Sequence, residues 1–256
     1  MSDVFGVGKA IEKLMDPVSE LVKKLAGPAA EEVGLSLQDS VKVWRAKRQY
    51  RLFEKMNGFI ADAGFEPNPV SLKTLLPALD YASVEDDETM HTAWAALLAN
   101  ASDPRNSSGH WPSFPAILKE ITPREAKFLN ALDGESSSPH FYLHSTEPIF
   151  TEDELKKVYV EAGLSRRPNI GPMNMGEMQE GGDDLQADLK DFAMVMAIVI
   201  RLGLLRLLIE TEPLDVSAIT RGRNAPRRLE ISVSMHYIFT ELARQFVRAC
   251  RPPAKS

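Results

Sequence analysis

Apolar residues recur at helical spacing along much of the chain. From Val7 to Leu25 they fall at Val7, Ile11, Leu14, Met15, Val18, Leu21, Val22 and Leu25, with Lys and Glu between them, which predicts an amphipathic helix that Pro17 bends or divides. The small-residue stretch AGPAAEEVG, with Gly27 and Pro28, interrupts the pattern. A second periodic stretch starts in VKVWRAKRQYRLFEK and continues past Ile60, predicting a long helix that Gly64, Pro67 and Pro69 end. Ser71 to Tyr81 is a further apolar segment, which Pro77 is expected to divide. VEDDETMHTAWAALLANASDP reads as a helix with acids at its start, where they complement the helix dipole, and with Met90, Trp94, Leu97, Leu98 and Ala101 buried. WPSFPAILKEI follows as a short helix with Phe114, Ile117, Leu118 and Ile121 inward.

The second half mixes periods. Thr122, Pro123 and Glu125 form a helix start signal, an N-cap with Pro at the first helical position and a capping-box Glu. HFYLHS, from His140 to Ser145, alternates as a strand does. Thr151 and Glu154 open another helix that Gly163 closes. Leu164 to Gly182 is loop-like, with Gly, Pro and Met. Asp183 to Leu202 reads as a helix whose later turns are apolar all round, and such a helix is buried or covered by a partner. LLRLLIE and RRLEISVSM are strand-like, and a loop carrying Arg221 and Arg223 lies between them. A last helix spans about Thr240 to Cys250.

The fold class expected is therefore mainly α, an N-terminal helical region over residues 1–121 followed by a C-terminal winged-helix-like α+β domain over residues 122–252. That domain has a small antiparallel sheet and a flexible insertion near residues 164–183. In a DNA-reading winged helix the third helix enters the major groove. Here Asp183, Asp184, Asp188 and Asp191 are expected to face the phosphates, with only Lys190 nearby, so the helix repels a duplex. The domain reads as a packing or partner module.

Charge adds one local feature. The 256-residue chain carries a formal net charge of -6, so any attraction for an anion comes from a local patch. Val41 to Lys55 holds six Lys or Arg and one acid, Glu54. On a helical wheel Lys47, Arg48, Arg51 and Lys55 share an arc with Trp44, while Lys42 and Arg45 interrupt the apolar side and must snorkel. The arc is a solvated face or a docking site for an acidic surface, whether protein, nucleic acid or anionic lipid. The acidic segment from Glu177 to Asp191 is one candidate for that surface, within the chain or on a second copy. Arg221, Arg223, Arg227 and Arg228 are candidate contacts to a phosphate backbone.

Little in the sequence points to chemistry. The single cysteine, Cys250, allows no disulfide framework within the chain and fits a reducing cytoplasm. The start MSDVFGVGKAIEKLMD has charges among its apolar positions and is not read as a signal peptide, and the longest apolar run, Phe192 to Ile200, is too short to span a bilayer. His140 and His144 lack the Glu and the helix of a zinc-protease motif. No phosphate loop, dinucleotide fingerprint or nucleophile elbow is present. The acids of EDDE and GGDD sit where acids cap helix starts. No catalytic residue, metal or cofactor is expected, and the protein is read as acting by binding, without enzymatic activity.

Several segments together resemble the abortive infection alpha family. They are LAGPAAEEVGLSLQDSVKVWRAKRQYRLFEK, EPNPVSLKTLLPALDYASVEDDETMHTAWAALLANASDP, HWPSFPAILKEITPREAKFLNAL and the tail YIFTELARQFVRAC, which span about Leu25 to Cys250. The most specific pieces are AGPAAEEVG, the W-A-x-L-L-A-N run from Trp94 to Asn100, and P-S-F at Pro112, Ser113 and Phe114. Each also has a fold-defining reading. Trp94, Leu97 and Leu98 are core, Asn100 satisfies free carbonyls near the helix end, Ser113 caps the next helix and Phe114 anchors it. The resemblance implies a part in bacterial defence against phage and brings no catalytic residues. It leaves three readings. The first is an effector or sensor that binds proteins or itself, the second a nucleic-acid binder using the helix and wing arginines, and the third a membrane-acting toxin.

Overall fold

Helices form where a 3.6-residue apolar period meets a start signal. The structure is a computed structural model and describes residues 40–106, 111–135, 147–168, 170, 177–211 and 233–255. The chain divides into two compact units, Met1–Ala126 with Gln245–Ser256, and Lys127–Arg244. The expected helix from Val7 to Leu25, the AGPAAEEVG stretch, the strand at His140 to Ser145 and the arginines Arg221, Arg223, Arg227 and Arg228 lie outside the described residues.

The first unit holds α1 (Ser40–Ala63), α2 (Leu72–Ala82), α3 (Glu88–Ser102), a 3-10 turn (Trp111–Ser113) and α4 (Phe114–Leu118). Helix α1 buries Leu52, Phe53, Met56, Ile60 and Ala63, one stripe of its wheel. Helix α3 is buried on all sides from Trp94 to Asn100, wider than the stripe its period predicts, while Ala101 is only half-buried. Asp87 caps it by accepting from the Met90 N–H at 2.9 Å. Pro77 does not divide α2, which runs through it unbroken. Burial of Thr74, Leu75, Ala78 and Ala82 along that helix offsets the missing backbone bond. Tyr81 stacks on Trp94 at 6.2 Å, and Phe114 meets Phe246 edge-on at 5.8 Å. Phe114 and Phe246, both fully buried, each contribute about 1.5–3 kcal/mol.

The second unit is built from most of α5 (Pro123–Glu135), then β1 (Ile149–Thr151), α6 (Glu152–Glu161), α7 (Glu177–Arg201), β2 (Leu205–Thr211), β3 (Val233–Phe239) and the start of α8 (Glu241–Ala249). The Thr151 capping box forms in full and the Thr122 one in part, its hydroxyl accepting from the Arg124 N–H in place of that of Glu125. Glu125 Oε2 accepts from the Thr122 N–H at 2.7 Å, and Glu154 Oε2 accepts from the Thr151 N–H at 2.7 Å while Thr151 Oγ1 receives the Glu154 N–H. Gly163 ends α6 at φ 63° and Gly203 ends α7 at φ 72°, left-handed positions that suit glycine. Phe128, Tyr159 and Phe192 form an edge-to-face triangle with centroids 5.4 to 6.4 Å apart, which joins α5, α6 and α7.

The three strands form an antiparallel sheet in the order β1-β3-β2. The protein is thus mainly helical with a small antiparallel sheet, as the sequence led us to expect. Two boundaries differ. Helix α7 begins at Glu177, inside the stretch read as loop. The third strand, Val233–Phe239, runs past the end of RRLEISVSM. It ends where Ile238 and Phe239 are buried, so the core sets its extent.

Candidate functional site

The basic arc of α1 does not all face solvent. Lys47 and Arg51 are exposed, whereas Arg48 and Lys55 turn toward the start of α3. The Arg48 guanidinium donates to the Glu85 carbonyl. Lys55 Nζ lies 2.5 Å from Glu88 Oε1 and donates to Thr92 Oγ1 at 2.8 Å. Lys55 holds the Glu88 carboxyl below its ordinary range, first through the side-chain bond and then through its charge. Arg45, expected to snorkel, reaches Asp80 of α2 at 3.4 Å. The Trp44 side chain lies outside what is described. So the EDDE run does more than complement the α3 dipole, since the Glu88 carboxylate and the Glu85 main-chain carbonyl also receive part of the basic face of α1. Wheel geometry missed this because a wheel locates a neighbour's side without identifying the neighbour.

His91 sits at the centre of that seam and is buried. Its Nε2 lies 3.2 Å from the Arg48 carbonyl oxygen, which only accepts, so Nε2 carries the proton. Nδ1 is then an acceptor, buried and without a partner. Burial lowers the His91 pKa, the Arg48 carbonyl opposes that, and the Lys55 charge adds to the lowering. Burial and the Lys55 and Arg48 charges thus disfavour the charged imidazole, while Glu88 favours it.

Asn100 closes the first unit. Its Nδ2, with two N–H groups to share, lies within hydrogen-bond reach of the carbonyls of Ala96 at 3.1 Å, Ala249 at 3.0 Å and Arg251 at 2.7 Å. Beside it Arg105 grips Asp103 with two nitrogens and lies over the Phe65 ring at 5.3 Å, and its bond lowers the Asp103 pKa. Trp94, Leu97 and Phe114 are fully buried, while Pro112 and Ser113 are exposed. Ser113 makes no capping bond to α4, because the 3-10 turn already holds it at helical angles, φ -83° and ψ -28°.

Asp188 of the second unit overturns a sequence expectation. It does not face outward with Asp183 and Asp184, which are exposed, but is completely buried. Its carboxylate accepts from Ser165 Oγ at 2.8 Å and from the N–H groups of Arg166 and Arg167 at 3.1 and 3.2 Å. It pins the turn that follows α6. Asp191 lies 4.0 Å from Arg166 Nη2. The later turns of α7, expected to be covered all round, bury Phe192, Val195, Met196 and Val199 and leave Met194 65% exposed.

The sheet carries the feature that sequence reasoning passed over. In β2, Leu207 is 40% and Ile209 57% exposed, and Met235, paired with Ile209 across β3, is 49% exposed. Alternation places Leu205, Leu207 and Ile209 on one face, and Leu205 is buried. One ladder thus leaves the core and continues into solvent. The apolar run Leu207–Ile209 in LLRLLIE was the available signal, because a strand with one wet face alternates. Among the described residues no three His, Cys, Asp or Glu side chains gather as metal ligands, and no helix is long and apolar enough to cross a membrane.

Residues 45–250 match the family described as abortive infection alpha. No curated protein and no solved structure matches the chain. The match takes in most of α1 with its seam, Asn100 and the whole second unit, so the chain belongs to the abortive infection alpha family.

Proposed function

We propose that the protein serves in defence against phage, of the abortive-infection type that its family suggests, and that it acts by binding proteins without catalysing a reaction. The observation that carries the binding reading is the apolar surface of the second unit, Leu207, Ile209 and Met235 on the sheet, with Met194 on α7 as a further exposed apolar side chain. Large exposed apolar groups that gather on one sheet face mark interaction sites. Part of the basic face of α1 is already engaged by the Glu85 carbonyl and by Glu88, which leaves Lys47 and Arg51 as the exposed cations of that arc. Two isolated cations are a weak phosphate clamp. A winged-helix reading of the second unit is supported by the order helix, strand, helix, helix, strand, strand, helix and by a sheet in which β3 is central. Its third helix, α7, offers exposed Asp183 and Asp184 against Lys190, which disfavours a duplex.

The test is recovery of the tagged full chain from infected and uninfected cells, scored for protein and for nucleic acid. A phage or host protein enriched on infection, in amounts insensitive to nuclease, is the expected outcome. Recovery of nucleic acid whose binding falls steeply with salt, and of no protein, would overturn the reading.

A further inference from the structure

We infer that the amphipathic segment Val7–Leu25 docks on the outer flank of α2, along Leu72, Leu76 and Leu79, as an intramolecular ligand of the first unit. The partner is a stretch of the same chain, so the inference stands apart from the protein-binding reading above.

Helix α2 carries more apolar surface than the core covers. Its inner side is Thr74, Leu75, Ala78 and Ala82, all buried. Beside them Leu72, Leu76 and Leu79 follow one another at i, i+4 and i+7, the spacing of one helix face. Leu72 and Leu76 are exposed and Leu79 is half-buried. Val84, in the turn that leaves α2, is a further exposed apolar side chain. Among the described residues this row is a packing face without its neighbour.

The chain itself supplies an occupant. Val7, Ile11, Leu14, Val18, Leu21 and Leu25 recur at alternating steps of four and three, with Met15 and Val22 beside them. Such a repeat is the seam of a helix that packs along one other helix. Pro17 divides it, and the half nearer α1, Val18 to Leu25, is about two turns long, as is the row from Leu72 to Leu79.

The point where the segment joins the described chain lies beside that row. Helix α1 begins at Ser40. Arg45, in its second turn, lies 3.4 Å from Asp80, which is one turn beyond Leu76 on α2. Arg48 donates to the carbonyl of Glu85, next in sequence to Val84. Residues 26–39 span up to about 45 Å when extended and α2 is about 16 Å long, so the tether reaches every part of the row. A short tether holds its segment at an effective concentration on the order of millimolar, which a second copy or another protein must exceed to displace it. A lipid surface fits the segment less well. Interfacial helices favour a polar face rich in Lys and Arg, and here Glu12, Asp16 and Glu20 stand among the lysines.

The test uses the full chain with Cys250→Ala, so that each variant carries one thiol, and reads the rate of labelling by a maleimide. Val18→Lys with Leu21→Lys should raise the rate at Leu76→Cys by about tenfold or more, because a docked segment shields that position until it opens. The rate at Lys73→Cys, exposed on the same helix away from the row, should not change. In the reciprocal measurement, Leu72→Glu with Leu76→Glu should raise the rate at Val22→Cys by a similar factor. Both acids enter at exposed positions, so the fold tolerates them. All of these rates should be independent of protein concentration. A Leu76→Cys rate indifferent to the two lysines, or a Val22→Cys rate indifferent to the two acids, overturns the inference. Protection that grows with protein concentration also overturns it and assigns the row to a second copy.

Discussion

In the first unit Arg48 and Lys55 turn toward Glu85, Glu88 and Thr92, and Trp94 to Asn100 are enclosed on every side. In the second, Asp188 is drawn inside while Leu207, Ile209, Met235 and Met194 remain in water. The sequence suggests the reverse, a first unit that displays charge and a second that hides its apolar helix. The difference teaches that the composition of a segment does not decide its exposure. A Lys or Arg that faces the start of a neighbouring helix is a structural group, and an apolar strand at a sheet edge is a surface.

The comparison breaks most decisively at the enclosed helix of the first unit. Trp94→Ala should cost about 3–5 kcal/mol of stability in chemical denaturation, since it leaves a cavity where Tyr81 stacks. Next comes Asp188→Ala, which strands the Ser165 hydroxyl and the Arg166 and Arg167 amides. Bonds to a buried carboxylate make this loss about 3 kcal/mol, and amide exchange at Arg166 and Arg167 should rise with it. If exchange there is unchanged, Asp188 is not what pins that turn.

A smaller effect sharpens the seam. The His91 pKa is lowered in the folded protein from an ordinary 6.5, so the unfolded chain binds the proton more tightly. The contribution of His91 is complete above about pH 6.5 and is lost as pH falls through the lower folded value. Arg48, Lys55 and Glu88 face the same ring, and the acid sensitivity should flatten in His91→Gln. A pH profile identical to that of the unsubstituted protein would show that the imidazole is not its source. Smallest of all, Lys47→Glu with Arg51→Glu should change stability by no more than about 0.5 kcal/mol, because both are exposed. A larger loss would mean that the exposed half of the arc is also structural.

What was legible in the sequence was local. The Thr151–Glu154 box, the Glu125 bond back to Thr122, the acidic start of α3 and the stops at Gly64 and Gly163 depend on residues a few positions apart, and they form. The misreadings depend on distant partners. Nothing near Asp188 in sequence announces the Ser165 turn, and nothing near Arg48 announces Glu85, 37 positions on. Ile149–Thr151 is too short to show a period, so β1 carried no strand signal of its own. The exposed ladder of β2 was written in the chain, but an apolar strand is ordinarily assigned to a core.

The Asn100 clamp has a consequence for biosynthesis. Its acceptors, the carbonyls of Ala249 and Arg251, follow the entire second unit in chain order. A ribosome therefore emits the Asn100 amide, and the Phe114 ring that awaits Phe246, well before it emits their partners. Early domains usually mature as they emerge. Here the opening half of the nascent polypeptide stays unfinished until translation has passed Arg251, and a prematurely terminated product carries a first unit that cannot close.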